Sequence, residues 1–179
     1  MFDVMLDLET MGSGPDAAIT AIGAVVFDPM AGTLGAEFYQ VVNLESAVRS
    51  GGVMDASTVL WWMRQNDAAR REFERFGATI ESTLSSFRLW LLDEAGKDAR
   101  VWGNGAGFDN VILAGAYRRA GLQAPWSYKN DRCYRTVVAL QPGLKRMEGG
   151  TRHNALEDAK GQAMHLMTCL RALGGASCV

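Results

Sequence analysis

The amino-acid sequence predicts a single α/β domain built on a mixed central sheet, with three antiparallel strands at the N-terminus and helices flanking the sheet. Three short apolar segments separated by turns open the chain, and helical spacing dominates the rest. A further strand interrupts the helices, and this alternation is typical of a sheet covered by helices. The 179 residues suffice for one substantial core, so we expect one domain over 1–179.

The first three strands follow one another closely. The segment "FDVMLDLE" (2–9) is a short apolar strand with acidic residues near its end, and a segment bordered by Gly and Pro predicts a second strand over 18–28. The turn-rich "MAGTLG" separates the second strand from a third over 36–42. A short connection of this kind favours a hairpin, so we expect an antiparallel meander.

Two helices are predicted next. The segment "DASTVLWWMRQND" (55–67) has Asp55 or Ser57 as a cap, and "ATIESTLSSFRLWLLDEAG" (78–96) has Thr79 as a possible cap and Gly96 as its stop. Adjacent helical residues diverge by about 100°. Of Trp61 and Trp62, one is therefore expected in the core and the other in a dimer contact or a stacking platform. The apolar stripes are Val59, Leu60, Trp62 and Met63 in the first helix, and Ile80, Leu84, Phe87, Leu91 and Leu92 in the second.

The second half of the chain alternates strand and helix. We predict a strand over 99–105, a helix over 108–122 and a last long helix over 154–173, with loops over 123–130 and 146–152. The segment "CYRTVVALQ" fits a strand or a helix, and a short helix is favoured. One face of the last helix carries small and apolar residues, namely Ala155, Ala159, Ala163, Leu166, Met167 and Leu170.

Composition and charge narrow the function classes. No apolar run is long enough to span a bilayer and no signal peptide is visible, so we expect no membrane association and a cytoplasmic location, in a bacterium or a phage-infected host cell. Three cysteines without a C-x-x-C pair favour reduced, structural thiols over disulfides. The net charge of −2 argues against a simple non-specific nucleic-acid binder.

Arginine supplies most of the 18 basic residues, and its planar fork suits phosphate groups. The alternative is that these side chains form solvated faces and salt bridges. Two clusters stand out, one with Arg64, Arg70, Arg71 and Arg75, and the other with Lys129, Arg132, Arg135, Lys145, Arg146 and Arg152.

Four carboxylates lie in positions that suggest a metal site. Asp7 and Glu9 are two apart on a strand and therefore point to the same face, where like charges repel unless a cation lies between them. Asp109 follows the glycine-rich end of a strand, and Asp158 lies one turn into the last helix after small residues. Hard divalent cations such as Mg²⁺ or Mn²⁺ take oxygen ligands of this kind. Alternatively, Asp109 stabilises only a helix N-terminus.

The two histidines have different predicted roles. His153 lies just before the last helix or at its first residue, where it can reach solvent, and an ordinary imidazole titrates near neutrality as a general base must. His165 falls within the body of that helix, so we interpret it as structural or surface-exposed.

The motifs "DLET" (7–10), "GNGAGFDN" (103–110) and "HNALEDA" (153–159) resemble, in this order, those of the DEDDh 3′–5′ exonucleases of the RNase H-like superfamily. The histidine five residues before the last aspartate is typical of the h subclass. The stretches "DLETMGSGPDAAITAIGAVVFDP" and "STVLWWMRQNDAAR" are similar to the small RNase AS-like and DexA-like exonucleases of bacteria and phages. The tail after Leu173 is short, so we expect no further family contacts there.

The resemblance implies an RNase H-like fold and a site with two divalent metal ions, Mg²⁺ or Mn²⁺. Asp7, Glu9 and Asp158 would hold one ion, Asp7 and Asp109 the second, and His153 would be the general base. Thr10 and Met11 would contact the terminal sugar through their backbone, and Phe108 would either stack on a base or belong to the core. Asn104 and Arg135 complete the predicted substrate-binding set.

The implied activity is a metal-dependent 3′–5′ exoribonuclease that releases nucleoside 5′-monophosphates from single-stranded or 3′-overhanging nucleic acid. The same resemblance implies a homodimer. An exodeoxyribonuclease of the same mechanism is the nearest alternative, since one sequence does not show what reads the 2′-hydroxyl. A non-catalytic nucleic-acid-binding module is disfavoured because all five site residues are present. A purely structural metal protein is disfavoured as well, since the chain lacks clustered Cys and His ligands.

Overall fold

The computed structural model describes residues 2–71, 76–146 and 153–174. Within these ranges the chain forms a five-stranded sheet in the order β3-β2-β1-β4-β5. The strands are β1 (Asp3–Thr10), β2 (Ile19–Asp28), β3 (Thr33–Val41), β4 (Arg100–Gly103) and β5 (Asp131–Cys133). The helices are α1 (Leu44–Arg49), α2 (Ala56–Met63), α3 (Asp67–Arg71), α4 (Ile80–Glu94), α5 (Asp109–Arg119), α6 (Tyr134–Ala139) and α7 (Ala155–Ala172).

The sheet is mixed, as predicted. β1, β2 and β3 form the expected antiparallel meander, and β4 pairs parallel to β1 and to β5. β1 is central, and its side chains alternate between two hydrophobic cores. Val4 and Leu6 pack in the core that contains the buried residues of α4 and α5, whereas Met5 packs in the core that contains Leu166 of α7. Asp7 and Glu9 continue the Met5 register, so both face α7 as the D-x-E spacing predicts.

Three elements were not predicted, namely α1, the five-residue α3 and β5. Helix α1 begins after Asn43, whose side chain accepts a hydrogen bond from the Ser46 N–H at 2.8 Å, and only six residues follow. Strand β5 is three residues long and precedes the predicted short helix α6, so "CYRTVVALQ" begins at the end of a strand and continues as a helix. Periodicity over so few residues does not distinguish these elements from a loop.

The predicted apolar stripe of α2 is confirmed for Val59 and Trp62 and wrong for Leu60 and Met63. Trp62 is buried and Val59 packs against the core, whereas Leu60 and Met63 are 52% and 64% exposed. Asp55 does lie at the N-cap position of α2, but it makes no side-chain cap bond. Its Oδ2 instead accepts from the N–H and hydroxyl of Ser13, at 2.7 and 2.9 Å. This carboxylate therefore connects the loop after β1 to α2.

Other local predictions are confirmed. The Thr79 hydroxyl accepts from the Ser82 N–H at 3.3 Å at the start of α4, and Gly96 follows that helix with a φ of 76°. His165 is buried and structural, since its ring nitrogens lie 2.7 Å from the Tyr134 hydroxyl and 3.1 Å from the Leu144 carbonyl. Cys133 and Cys169 are free thiols, while Cys178 lies outside the described residues. None of the described helices is long and apolar enough to cross a membrane.

Helix α7 approaches the sheet closely because small residues meet at the contact. Ala155, Ala159 and Ala163 of α7 are fully buried. Gly23 of β2 lies directly opposite Asp7 in the strand pairing, and a Cβ built on Gly23 would lie 2.2 Å from the backbone carbon of Ala155. Since atoms cannot approach this closely, a side chain at position 23 would push the start of α7 away from the sheet.

We expect Gly23→Ala to destabilise the protein by about 1–3 kcal/mol, the usual cost of overpacking against an unyielding backbone. Urea unfolding followed by circular dichroism measures this change. The matched control is Gly35→Ala in β3, where the new Cβ would lie at an ordinary 3.5 Å from Val26. Equal stability of the two variants would show that α7 does not depend on the close approach at Gly23.

Candidate active site

The site is built around Asp7, near the carboxyl end of the central strand. Gln162 of α7 donates from Nε2 to Asp7 Oδ1 at 2.6 Å, and this amide is itself 1% exposed. Burial and the negative charges of Asp109, Glu9 and Asp158, together outweighing this hydrogen bond, raise the pKa of Asp7 well above its ordinary value. The other three predicted carboxylates therefore all act electrostatically on Asp7.

Asp109 reaches the site where β4 ends. The β1–β4 pairing stops at Leu6 and Gly103. Beyond it, the Leu8 N–H of β1 donates to Asp109 Oδ1 at 3.1 Å. Gly103 permits this approach, since a Cβ there would lie 3.1 Å from both the Asp109 Cβ and Oδ2. Asp109 is the first residue of α5, as predicted.

Asp109 is buried, and this environment disfavours its charged carboxylate form. Its Oδ2 is buried without a hydrogen-bond partner among the described residues. Burial raises the pKa of Asp109 to about 6, although backbone N–H groups, including those of Leu8 and Asn104, and the charge of Arg135 oppose the increase. A buried carboxylate oxygen that lacks a donor destabilises the folded protein, and a bound cation would remove this cost.

Helix α7 supplies Asp158. The helix begins after Asn154, whose side chain accepts from the Glu157 N–H at 3.2 Å. Asp158 therefore lies in the first turn, and Gln162 lies one turn further along the same face. The Asp158 Oδ1 accepts from Arg146 Nη2 at 2.6 Å, and Oδ2 accepts from the backbone N–H of His153 at 3.1 Å.

His153 lies outside the helix and rests on two tryptophans. Its φ of 64° places it in the left-handed region, where non-glycine residues are uncommon and often functional. Its ring packs edge-to-face against Trp61 at 4.9 Å and against Trp62 at 5.8 Å between centroids. Trp62 is anchored through Nε1, which donates to the Thr10 carbonyl at 2.9 Å. The tryptophan pair thus connects the histidine to the strand that carries Asp7 and Glu9.

These side chains fit a divalent cation. Glu9, His153 and Asp158 each offer one ligand atom, and these atoms lie within 4.8 Å of one another. The unpartnered Asp109 Oδ2 and the repulsion around Asp7 indicate that positive charge is needed on this side of the cluster as well. The donors are mostly carboxylate oxygens, the ligands that hard cations prefer. The imidazole of His153 is close enough either to ligate an ion or to act as a base beside it.

Thr10 and Met11 follow the acidic pair, and several of their polar groups already form hydrogen bonds within the protein. The Met11 N–H donates to the Ala18 carbonyl at 2.9 Å, and the Met11 carbonyl accepts from the Asp55 N–H at 2.8 Å. The Thr10 hydroxyl donates to the Gly12 carbonyl at 2.7 Å. The Met11 backbone, predicted to contact a terminal sugar, is thus already hydrogen-bonded within the protein.

The other predicted substrate-binding residues surround Asp109. Arg135 Nε donates to Asn104 Oδ1 at 3.1 Å, and the arginine charge reaches Asp109. Phe108 immediately precedes Asp109 and is partly buried against the core, so the core interpretation accounts for part of its surface. Among the predicted phosphate-binding arginines, Arg70 pairs with Asp67, Arg75 and Arg152 lie outside the described residues, and Arg135 is exposed.

Three features of the site were not predicted as such, namely the Gln162–Asp7 bond, the Arg146–Asp158 pair and the packing of His153 on the tryptophans. Gln162 lies four residues after Asp158, so its position on the same helical face was a usable signal. The sequence also indicated that only one of Trp61 and Trp62 would lie in the core. No local pattern connects either tryptophan to His153, since these contacts join distant segments.

A mixed sheet whose central strand carries a D-x-E pair, with an aspartate on each of two helices and a histidine beside the last one, defines the DEDDh class of 3′–5′ exonucleases. Solved structures share this fold. The nuclease domain of 3′hExo, a DEDDh family member bound to rAMP, gives a TM-score of 0.64 at 16% identity, covering 96% of this chain and 92% of that chain. The E. coli ExoI–ssDNA complex gives 0.69 at 13% identity, covering 97% of this chain and 41% of that chain.

The family model of the 3′-5′ exoribonuclease Rv2179c-like domain matches residues 2–170, and the chain belongs to this family. A curated relative, the exodeoxyribonuclease of Enterobacteria phage T4, is 31% identical over 77 residues, which are 40% of this chain and 34% of that protein. The aligned part is thus about a third of the phage protein. The resemblance to DEDDh exonucleases and the predicted RNase H-like fold are both confirmed.

The raised pKa values give a testable pH dependence. Because the folded chain holds the Asp109 proton more tightly than the unfolded chain does, this carboxyl stabilises the fold below its ordinary pKa, and the contribution is lost as pH rises through about 6. In EDTA, the free energy of unfolding should therefore increase on the order of 1 kcal/mol between pH 7 and pH 5 from this group alone.

Urea unfolding at pH 5, 6 and 7 measures this dependence. Asp109→Asn removes one titrating group and should reduce the slope by this amount while the contribution of Asp7 remains, whereas Asp93→Asn on the exposed face of α4 should leave the slope unchanged. An unchanged slope in Asp109→Asn would show that another group is responsible.

Proposed function

We propose that this chain is a metal-dependent 3′–5′ exoribonuclease that removes nucleoside 5′-monophosphates one at a time from a single-stranded or 3′-overhanging end. The observation that carries the proposal is the convergence of Glu9, Asp109 and Asp158 on Asp7, since burial and these three negative charges together raise the Asp7 pKa well above its ordinary value. Without a bound cation, this repulsion would only destabilise the folded protein. Membership of a family of 3′-5′ exoribonuclease domains supports the reaction class.

We propose two Mg²⁺ or Mn²⁺ ions, one held by Asp7, Glu9 and Asp158 and the other by Asp7 and Asp109. When bound, two such ions supply positive charge at both the attacking and the leaving oxygen of an in-line displacement at phosphorus. The carboxylates are fixed for this task by neutral donors, since Gln162 orients Asp7 and the Leu8 N–H orients Asp109. Gln162 and the Leu8 N–H each donate to one oxygen, Oδ1, of their carboxylate.

We assign the proton transfer to His153. The ring takes the proton from the attacking water, the water oxygen bonds to phosphorus, and the 3′-oxygen of the penultimate nucleotide departs with the shortened chain. The packing on Trp61 and Trp62 restricts where the ring can lie, while its position before α7 leaves it half-buried and within reach of solvent. Arg135, exposed beside Asp109, is suited to bind the phosphate of the terminal nucleotide.

RNA is the favoured substrate because the matched family is described by exoribonuclease activity. DNA is the second candidate, favoured by the 31% identity with a phage exodeoxyribonuclease. Both substrates have the same scissile phosphodiester, so the carboxylate cluster serves either one. We also propose a cytoplasmic location, with the half-exposed Trp61 as either a contact in a homodimer or a stacking platform for a base.

The experiment that tests the activity uses four oligonucleotides of matched sequence: single-stranded RNA, single-stranded DNA, and each with a duplex body and a 3′ overhang. Nucleotide release is followed with Mg²⁺, Mn²⁺ or EDTA. We expect stepwise release of 5′-monophosphates that requires metal, with RNA faster than DNA. Asp7→Asn should abolish release with little loss of fold, and the surface variant Asp93→Asn should retain it. No release from any of the four would overturn the proposed function.

His153→Ala should lower the turnover rate by roughly 10²–10⁴, the usual contribution of a general base, and leave Mn²⁺ affinity largely unchanged. Single-turnover kinetics over a range of pH and calorimetric titration with Mn²⁺ measure the two quantities. Collapse of metal affinity with an unaltered pH profile would instead make His153 a ligand, as its distance to Glu9 and Asp158 permits.

A further inference from the structure

Arg146 makes an ion pair with a carboxylate that the proposed function assigns to a metal ion. Its Nη2 lies 2.6 Å from Asp158 Oδ1, and both side chains are partly buried, at 32% and 21% exposed. The guanidinium lies across α7 at Gly161, where a Cβ would be 2.7 Å from Nη2. Because residue 161 has no side chain, the guanidinium can cross α7 at this position. The fold therefore accommodates the Arg146–Asp158 pair.

The pair matters because both oxygens of Asp158 already accept protein hydrogen bonds. Arg146 occupies Oδ1, and the backbone N–H of His153 occupies Oδ2. The N–H is neutral and can remain beside a bound cation. The guanidinium carries a full positive charge at contact distance from the same carboxylate, so it and a divalent ion repel one another there.

Arg146 is also suited to a second anion. Arginine pairs with phosphate through a planar fork, and a nucleic-acid substrate brings phosphate groups to this site. An arginine that leaves Asp158 for a phosphate exchanges one anion for another, and the carboxylate is then open to the metal. Binding of the ion and binding of the phosphate would consequently favour each other, since each removes the competitor of the other.

We propose that Arg146 is an internal counter-ion of Asp158 that competes with the divalent cation and, once displaced, binds a substrate phosphate. This inference rests on the proposed function in requiring that the cluster bind a divalent ion and that the substrate be a nucleic acid. It predicts opposite effects of one substitution on two ligands, whereas a merely structural arginine would weaken both or neither.

The test uses Arg146→Gln in the full chain. Calorimetric titration should show Mn²⁺ binding about threefold to tenfold tighter than in the unsubstituted protein, as fits the loss of one partly exposed competing ion pair. At saturating Mn²⁺, the KM for a single-stranded oligonucleotide should rise, and the salt dependence of oligonucleotide binding should decrease by about one phosphate contact.

Lys145→Gln is the matched control, because it removes the same charge from the exposed neighbouring residue. It should change Mn²⁺ affinity little, since the charge of an exposed side chain is strongly screened by water and salt. Arg146→Lys keeps the charge but loses the planar fork, so it should restore competition with the ion more fully than it restores phosphate binding.

The outcomes separate this inference from the proposed function. Wild-type protein that binds no Mn²⁺ would overturn both. Binding of Mn²⁺ with equal affinity by wild type and Arg146→Gln would overturn the role of Arg146 and leave the metal site intact. Weaker Mn²⁺ binding by Arg146→Gln would show that the arginine supports the site structurally, which also contradicts competition. Thermal unfolding of each variant confirms that the folded protein is compared.

Discussion

The mutual repulsion of carboxylates around Asp7 is the constraint that shapes the rest of the site. Burial alone disfavours a charged carboxyl, and three further acids act in the same direction. The fold offsets this cost with donors from separate elements. A strand N–H reaches Asp109, an amide from α7 reaches Asp7, and a guanidinium reaches Asp158. The cluster therefore forms only when the sheet, the helices and the loop have all folded into place.

Close backbone approach is the means by which these elements meet. Gly23 admits α7 onto β2 directly opposite Asp7, and Gly103 admits Asp109 to the end of β1. Gly161 admits the Arg146 side chain over α7. In each place the absence of a Cβ permits a close contact beside a side chain of the candidate site. These three glycines are needed because they lack a side chain, which lets the neighbouring elements approach closely. Their backbone conformation does not require glycine.

Much of this arrangement could be predicted from sequence because it depends on local rules. The strand period puts Asp7 and Glu9 on one face, and a glycine-rich turn puts Asp109 at a helix start. The residues that escaped prediction act across long separations. The Gln162–Asp7 bond spans 155 residues, and the tryptophans that hold His153 belong to a different helix from the one that His153 precedes. Short elements such as α1 and β5 escaped for another reason, since six and three residues do not establish a period.

The donors on the carboxylates differ in a way that bears on how the site works. Gln162 and the Leu8 N–H are neutral and fixed by burial, so they can hold their oxygens whether or not positive charge is nearby. Asp109 Oδ2, which has no partner in the described part of the chain, remains open to a cation. Arg146 is charged, longer and partly exposed. It can move, and electrostatics require that it move if an ion binds at Asp158 Oδ1. The site thus combines an inner part that is fixed before any ligand arrives with an outer part whose charge can be exchanged, and the outer part lies toward solvent, from which a nucleic acid would approach.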